Sequence, residues 1–214
     1  MNKTAEIVKL WAEFEEKNAS VDIDDFCRYY LIKKREETSK VPNAAPHQQY
    51  SPHSQLAKLV GKLMRLSSYY ANLALKEIGI GSLDEFTYLL NVHRMNEPRK
   101  TEVIYQNFHE LSSGLLIIDR LKKKRLINEK ADKNDKRSRL LELTSEGLEK
   151  LNEAEIQLAK VSGMFYAHLP EDDIKLCIQL LSPVELMFSG LWHEYKGHPF
   201  DEIYKDFIKK KSSH

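Results

Sequence analysis

The chain has 214 residues, of which 42% are hydrophobic and 30% are charged, an ordinary balance for a folded protein with an apolar core. The two cysteines, Cys27 and Cys177, lack the spacing of a metal site or a redox pair, and no stretch approaches the roughly 20 apolar residues that span a bilayer. The N-terminus has no apolar segment of the kind found in secretion signals. We therefore expect a cytoplasmic protein without disulfides and without a membrane partner.

Two helices are predicted at the start of the chain. Apolar residues recur at helical spacing over residues 3–17, and Asp22 or Asp24 can cap a second helix that continues to about residue 37. Residues 38–52 hold three of the seven prolines and show no periodicity, which predicts a loop or linker. Residues 1–52 are thus interpreted as a helical N-terminal extension and linker.

The next part of the chain is predicted to be helical, with short turns. A long helix with a wide apolar face covers residues 54–78, and Ser82 is a suitable N-cap for the helix that follows. A short helix over residues 98–107 would carry Pro98 in its first turn, where proline is tolerated. A turn of a few residues separates it from a helix over 110–124, which is typical of a helix-turn-helix.

A basic segment follows this last helix. Of the residues from 120 to 139, ten are Lys or Arg and three are Asp or Glu, so the segment carries +7 although the whole chain carries +1. An apolar strand start at Leu126, a charged turn over 132–137 and a second strand over 139–143 predict a β-hairpin. A helix followed at once by a basic hairpin is typical of a winged helix-turn-helix, and this local charge favours contact with a polyanion.

The C-terminal part is predicted to be helical throughout. Thr144 can cap a helix that reaches about His168, a second helix covers 171–192 with a kink or break near Pro183, and residues 200–211 form a third. The expected fold class is mostly α with one small β-hairpin, namely a winged helix-turn-helix core between long N- and C-terminal helices. The proposed divisions of the chain are 1–52 (extension and linker), 53–81 (long helix), 82–144 (winged helix-turn-helix core) and 145–214 (C-terminal helices and tail).

Three short patterns occur in order along the predicted core. They are DRL at residues 119–121 with LI at residues 126–127, DxxDxR at 132–137, and LTxxG at 143–147. In this combination, residues 82–151 resemble the MarR family of bacterial transcription regulators. The order of the helices before and after the core also fits that family.

The resemblance implies a homodimer that binds double-stranded DNA at a near-palindromic operator, with residues 53–81 and 145–214 forming the dimerisation helices and tail and residues 82–144 the DNA-binding core. The helix over 110–124 would enter the major groove, and the hairpin over 127–143 would reach the adjacent minor groove. Asp135 would organise the wing by pairing with an arginine. The residues expected to contact DNA are Ser112, Ser113, Leu116, Arg120, Lys123, Lys136, Arg137 and Arg139. The protein would be a regulator, most naturally a repressor, that a small aromatic or anionic ligand releases from DNA, with Tyr69 and Tyr70 as candidate ligand contacts.

Three departures from the family pattern bear on these expectations. Arg125 replaces a glycine after the DNA-reading helix, which costs about 1 kcal/mol if that position needs a positive φ. A helical wheel places the apolar residues Leu111, Leu115, Ile118 and Leu121 towards the core, with Gly114 allowing close packing. Leu116 then faces outward where a long polar side chain is usual, so it either touches a thymine methyl or marks weak base readout that relies on backbone and shape. The N-terminal extension of about 50 residues is also longer than is typical of the family.

Two other classes of protein were considered. A winged-helix protein–protein adaptor with weak or non-specific DNA binding is the alternative that Leu116 and the extension favour. The sequence contains no nucleophile–base pattern or phosphate-binding loop, so we expect neither an enzyme nor a cofactor. His193 and His198 are five residues apart rather than four, with Gly197 between them, so no metal site is expected there. Cys27 lies outside every family motif, and a redox role for it is not expected.

Overall fold

The computed structural model describes residues 2–18, 22–38, 50–132 and 138–211. Within these residues the chain forms nine helices and one antiparallel hairpin, in the order α1 (Lys3–Lys17), α2 (Ile23–Thr38), α3 (Pro52–Glu77), α4 (Leu83–Met95), α5 (Lys100–Gln106), α6 (Leu111–Lys123), β1 (Ile127–Ala131), β2 (Arg139–Leu143), α7 (Ser145–Tyr166), α8 (Glu171–Tyr195) and α9 (Phe200–Lys211). The predicted fold class, mostly helical with one small hairpin, is confirmed. The predicted loop over 38–52 falls largely outside the described residues.

Three helix N-termini are capped by side chains that the sequence predicts. Ser82 Oγ accepts a hydrogen bond from Glu85 N at 3.2 Å, and Thr144 Oγ1 accepts one from Gly147 N at 2.9 Å. Of the two candidate caps for α2, Asp22 is the one used, since its Oδ1 accepts from the backbone N of Asp25 at 2.8 Å. Each bond satisfies a backbone N–H that the helix itself leaves without an acceptor.

The start of α5 differs from the prediction. The helix begins at Lys100 and not at Pro98, because the Pro98 carbonyl accepts a hydrogen bond from Leu141 N at 2.8 Å in the edge of the hairpin. Arg99 forms an isolated antiparallel bridge with Leu140. This short pairing ties the N-terminus of α5 to β2 and so fixes the hairpin against the helix-turn-helix.

Helix α8 corrects two sequence-based expectations. It continues without a break through Pro183, and Ser182 Oγ donates to the carbonyl of Ile178 at 2.7 Å next to the position where proline lacks an N–H. By length and composition α8 is also apolar enough to cross a membrane, and none of its most apolar window is buried. The expectation that no stretch approaches that length was wrong here, because Glu185 is the only charged residue between 176 and 193.

The chain divides into two compact units, Met1–Leu56 and Ala57–His214. In the smaller unit, α1 and α2 pack around an aromatic cluster in which the rings of Trp11 and Phe26 lie 5.1 Å apart and Phe14 stacks on Tyr29 at 4.8 Å. Phe14 and Phe26 are the buried residues among those described in this unit. Its core is therefore small.

The larger unit has a continuous apolar core. The end of α3, helices α4 to α7 and the hairpin meet around fully buried side chains, and these are Leu75, Ile80, Tyr88, Leu89, Val103, Ile104, Ile118, Leu121, Ile127, Leu141 and Leu151. Burial of this apolar surface, worth about 25 cal/mol per Å², is the main force that holds α6 and the hairpin in place.

Candidate nucleic-acid interface

Helices α5 and α6 form the helix-turn-helix around a close contact at Gly114. A Cβ at this position would lie 2.4 Å from Ile104 Cγ1 and 2.7 Å from Tyr88 Oη, so only glycine lets α6 approach α5 and α4 this closely. In the intervening turn, Phe108 adopts a φ of 54°, and His109 N donates to Ile104 O at 3.2 Å. The role in close packing predicted for Gly114 is confirmed.

A buried tyrosine of α4 contacts this turn. Tyr88 Oη lies 3.1 Å from His109 Nδ1, within hydrogen-bond distance. Burial, with a smaller effect from the nearby carboxylate of Asp84, raises the pKa of Tyr88 to about 12. The phenol therefore keeps its proton at neutral pH.

The inward face of α6 is shifted slightly from the predicted one. Gly114, Ile117, Ile118 and Leu121 are buried, whereas Leu111 is 51% exposed. The prediction that Leu111 faces the core was wrong, and Ile117 was missed. Residues 114, 117, 118 and 121 lie on the side of the helix that packs against its neighbours. Leu111, at the first turn, lies at the edge of that side and is therefore exposed.

The outward face of α6 carries the side chains expected to contact DNA. Ser112, Ser113, Leu116, Arg120 and Lys123 are all exposed, and Leu116 is 63% exposed. The first turn is therefore small and polar, the middle is apolar, and the last turn is basic. Their contact with DNA remains a prediction.

The chain leaves α6 through a left-handed residue at Arg125. Its φ is 59°, Arg125 N donates to Lys122 O at 2.9 Å, and Leu126 N donates to Leu121 O at 3.0 Å. This pair of bonds is the Schellman arrangement, whose left-handed position favours glycine. The sequence left open whether this position needs a positive φ. The structure shows that it does, so the backbone of Arg125 is strained.

We predict that Arg125→Gly raises the free energy of unfolding by about 0.5–1 kcal/mol, because glycine adopts a positive φ without a clash at Cβ. Urea denaturation measures the change. Lys123→Gly is the matched control, since it removes a basic side chain from inside the helix and should lower stability by about 1 kcal/mol. A loss of stability in both variants would contradict the strain at Arg125.

A buried carboxylate holds the C-terminal end of α6. Glu85 Oε2 accepts from Gly81 N and from Lys124 Nζ, both at 2.7 Å, and Glu85 Oε1 lies 3.3 Å from Arg120 Nε. Lys124 Nζ also donates to Gly79 O at 3.1 Å. These bonds fix α6 to the turn between α3 and α4, and they orient the half-exposed Arg120 side chain.

The wing is anchored at its base by a second ion pair. Strands β1 and β2 pair in register from Ile127 with Leu143 to Ala131 with Arg139. Asp132, which is nearly buried, pairs with Arg99 at 3.3 Å, and its N–H donates to Ser138 O at 3.2 Å. The residues predicted to act at the tip of the wing lie outside the described residues; these are Asp135, Lys136 and Arg137. The base of the wing thus contains a carboxylate–arginine pair formed by Asp132 and Arg99, and the role predicted for Asp135 stays a prediction.

Further lysines of the basic segment are engaged within the fold. Glu129 pairs with Lys122 and, at 2.8 Å, with Lys100. Burial alone would raise the pKa of Glu129, but hydrogen bonds from the two lysines outweigh it, so the pKa of this carboxyl lies below its ordinary value. Lys130 pairs with Glu97 and Glu142, chiefly through the bond to Glu97, and these contacts raise the pKa of Lys130.

Part of the positive charge of this segment is thus paired with carboxylates within the fold. Arg120, Lys122, Lys124 and Lys130 all have carboxylate partners in the fold. Within the described part of the chain, ion-pair partners are absent for three basic residues of the segment: Lys123, Arg125 and Arg139.

Sequence reasoning missed a contact between the end of α8 and the helix-turn-helix. Lys196 Nζ donates to the carbonyl of His109 at 3.2 Å and lies 4.3 Å from the ring centroid of Tyr105 and 4.7 Å from that of Trp192. Trp192 also packs edge-on against Phe108 at 5.3 Å. The contacting residues are more than 80 positions apart, so no local sequence pattern predicts the contact.

The two histidines examined as metal ligands lie in different surroundings. His193 packs against the ring of Phe108 at 6.0 Å, and His198 Nδ1 lies 3.5 Å from Glu202. Over the described ranges, no group of three or more His, Cys, Asp or Glu side chains is placed to hold a metal ion.

The tyrosines predicted as ligand contacts do not line the apolar groove between α3, α7 and α8. Tyr69 and Tyr70 are exposed on α3 and pack edge to face at 5.3 Å. The groove has a volume of about 510 Å³, and it is lined by Leu63, Tyr166, Leu169, Ile174, Cys177, Ile178, Leu181, Ser182 and Glu185. Its only ionisable groups are therefore a carboxyl, a thiol and a phenol.

A three-helix core whose third helix has an exposed face, followed by an antiparallel hairpin anchored to the second helix, defines a winged helix-turn-helix protein. Neither a protein-family model nor a curated protein matches the sequence. Solved structures do match the fold. A SlyA-like transcription regulator from Listeria monocytogenes has a TM-score of 0.60 at 20% identity, over 66% of this chain and 95% of that chain.

Two solved complexes match the fold of this chain about as well. A mutant MarR from E. coli complexed with operator DNA has a TM-score of 0.58 at 19% identity, over 64% of this chain and 98% of the other. CouR from Rhodococcus jostii, bound to p-coumaroyl-CoA, has a TM-score of 0.56 at 17% identity, over 64% and 95%. The fold is therefore that of the MarR family, as the sequence patterns predicted, and about a third of the chain lies outside the matched part.

Proposed function

We propose that the protein is a homodimeric, sequence-specific DNA-binding transcription regulator that acts as a repressor. The observation that carries the proposal is the outward face of α6. It combines exposed Ser112 and Ser113 in the first turn with exposed Arg120 and Lys123 in the last, and the hairpin lies directly after it. Serine hydroxyls and basic side chains are the groups that proteins use to hold phosphates beside a groove.

The dimer is supported by apolar surface on the long helices. Leu59, Met64, Ile178, Leu180 and Leu186 are each more than half exposed on α3 and α8. An isolated chain rarely leaves apolar surface of this extent in water. We propose that a second copy of the chain covers it, which would place two α6 helices on the two halves of a near-palindromic operator. The E. coli MarR complex supports DNA binding itself, since a protein of similar fold is held there on operator DNA.

We further propose a small-molecule effector that acts from the groove between α3, α7 and α8. CouR bound to p-coumaroyl-CoA is a fold neighbour that holds a small molecule. The groove of this chain has Glu185 as its carboxylate and is otherwise mostly apolar. Of the two ligand classes expected from the sequence, aromatic or anionic, it therefore favours an apolar aromatic effector without net negative charge. The function proposed is binding in the cytoplasm rather than catalysis.

The alternative is a winged-helix protein–protein adaptor with weak or non-specific DNA binding. The exposed Leu116 in the middle of α6 favours it, since an apolar side chain can equally serve a protein contact. The internal ion pairs of Lys122, Lys124 and Lys130 favour it as well, because they reduce the charge available for phosphates.

The proposal is tested by fluorescence anisotropy of the full chain with duplexes taken from the DNA upstream of its own gene. We expect one duplex to bind far more tightly than a scrambled duplex of the same composition, with two chains per duplex. Equal affinity for all duplexes would favour the adaptor, and no binding to any duplex would reject the regulator.

A further inference from the structure

The outward face of α6 has an apolar side chain at its centre, which is unusual for a helix that would enter a DNA groove. Leu116 lies at its centre and is 63% exposed, and Leu111 at its start is 51% exposed. Ser112 precedes Leu116 by four residues and Lys123 follows it by seven, so the three side chains share one face of the helix. The apolar centre is therefore flanked by a hydroxyl and an ammonium group.

The same face lacks the side chains that read most bases by hydrogen bonds. Guanine is recognised by Arg or Lys and adenine by Asn or Gln, each through two hydrogen bonds. From Leu111 to Asp119 the exposed residues of α6 are leucines, serines and an aspartate, so none of these four types is present. Arg120, the first basic residue, is held by Glu85 at 3.3 Å at the other end of the helix.

An exposed leucine in the major groove has one apolar partner among the base edges, which is the C5-methyl group of thymine. Serine and basic side chains flank Leu116 together with one acid, Asp119, so its surroundings suit nucleic acid better than an apolar protein surface. Burying one methyl group against the leucine is worth about a fourfold gain in affinity.

We propose that α6 selects its operator by contact between Leu116 and thymine methyl groups, so that each half-site carries A·T pairs with thymine opposite this residue. This inference rests on the proposed function and names the DNA that the same face takes. The hydroxyls of Ser112 and Ser113 contribute hydrogen bonds that tolerate several bases.

The test starts from duplexes with a randomised centre, from which the full-length dimer selects its preferred site. Each thymine of that site is then replaced in turn by deoxyuridine, which keeps every hydrogen bond and removes only the methyl group. We expect about a fourfold loss of affinity at one or two thymines of each half-site. In Leu116→Ala, whose truncated side chain is exposed and should not affect folding, the same replacements should cause no loss. The control Ile156→Ala, which removes an exposed apolar side chain from α7, should keep the full sensitivity to deoxyuridine.

The outcomes separate the inference from the proposed function. A selected site whose affinity is unchanged by deoxyuridine at every position would overturn thymine reading and leave the regulator intact. An equal deoxyuridine effect in wild type and Leu116→Ala would overturn the role of Leu116. Selection without sequence preference would overturn the inference and favour the adaptor, and no binding to any duplex would reject the proposed function itself.

Discussion

Gly147→Ala is expected to lower the free energy of unfolding by about 3 kcal/mol, at the upper end of the cost of overpacking. A Cβ at this position would lie 1.9 Å from the carbonyl oxygen of Leu126. Neither group can move cheaply, because the Leu126 carbonyl accepts from Thr144 N at 3.1 Å and Thr144 Oγ1 donates to the Arg125 carbonyl at 2.8 Å. The change would therefore separate the start of α7 from the junction of α6 and the wing.

Urea denaturation followed by circular dichroism measures this loss. Gly163→Ala is the matched control in the same helix, since no atom lies within 4 Å of the Cβ it would add. It should raise stability by about 0.5–1 kcal/mol, because alanine is the better helix former. Equal effects of the two changes would show that the contact at Leu126 is not as close as described.

Arg137→Ala is expected to weaken DNA binding by on the order of 100-fold without unfolding the protein. Arg137 lies outside the described residues, so this prediction rests on the DxxDxR pattern and on the position of the wing after α6. Loss of one arginine contact in a groove costs about 1–3 kcal/mol, and a dimer loses it twice. Anisotropy titration measures the affinity.

Lys160→Ala on α7 is the matched control for this experiment. It removes one exposed basic side chain from a helix that carries none of the predicted DNA contacts. The control should change affinity by less than about threefold, through net charge alone. If both variants lost the same affinity, the loss at Arg137 would come from net charge alone, and a specific role of the wing in DNA binding would be contradicted.

Local features could be predicted from the sequence because their causes are local. Ser82 and Thr144 cap their helices through bonds three residues away, and Gly114 was recognised as the small residue between two packed helices. The hairpin strands flank the charged turn at the positions that the sequence predicts. Arg125 stands in a left-handed position that a family pattern marks with glycine.

The remaining features depend on contacts between distant parts of the chain. Glu85 resembles the last residue of a capping box that begins at Ser82, yet its carboxylate binds Lys124, 39 positions later. Lys196 reaches the carbonyl of His109, which is 87 positions away. The exposure of Leu111 was mispredicted because a helical wheel gives the period of the apolar residues but not the direction of the neighbouring helix.

The salt dependence of DNA binding tests the central claim most directly. Binding of the full-length protein to its selected duplex is measured by anisotropy from about 50 to 200 mM salt. If the basic residues of α6 and the wing neutralise phosphates, log K should fall linearly with log salt concentration, by about 0.9 per phosphate contacted, and affinity should drop by roughly 10³–10⁵ for 6–10 contacts. An affinity that does not change over this range, or no binding even at the lowest salt concentration, would contradict a DNA-binding function for this fold.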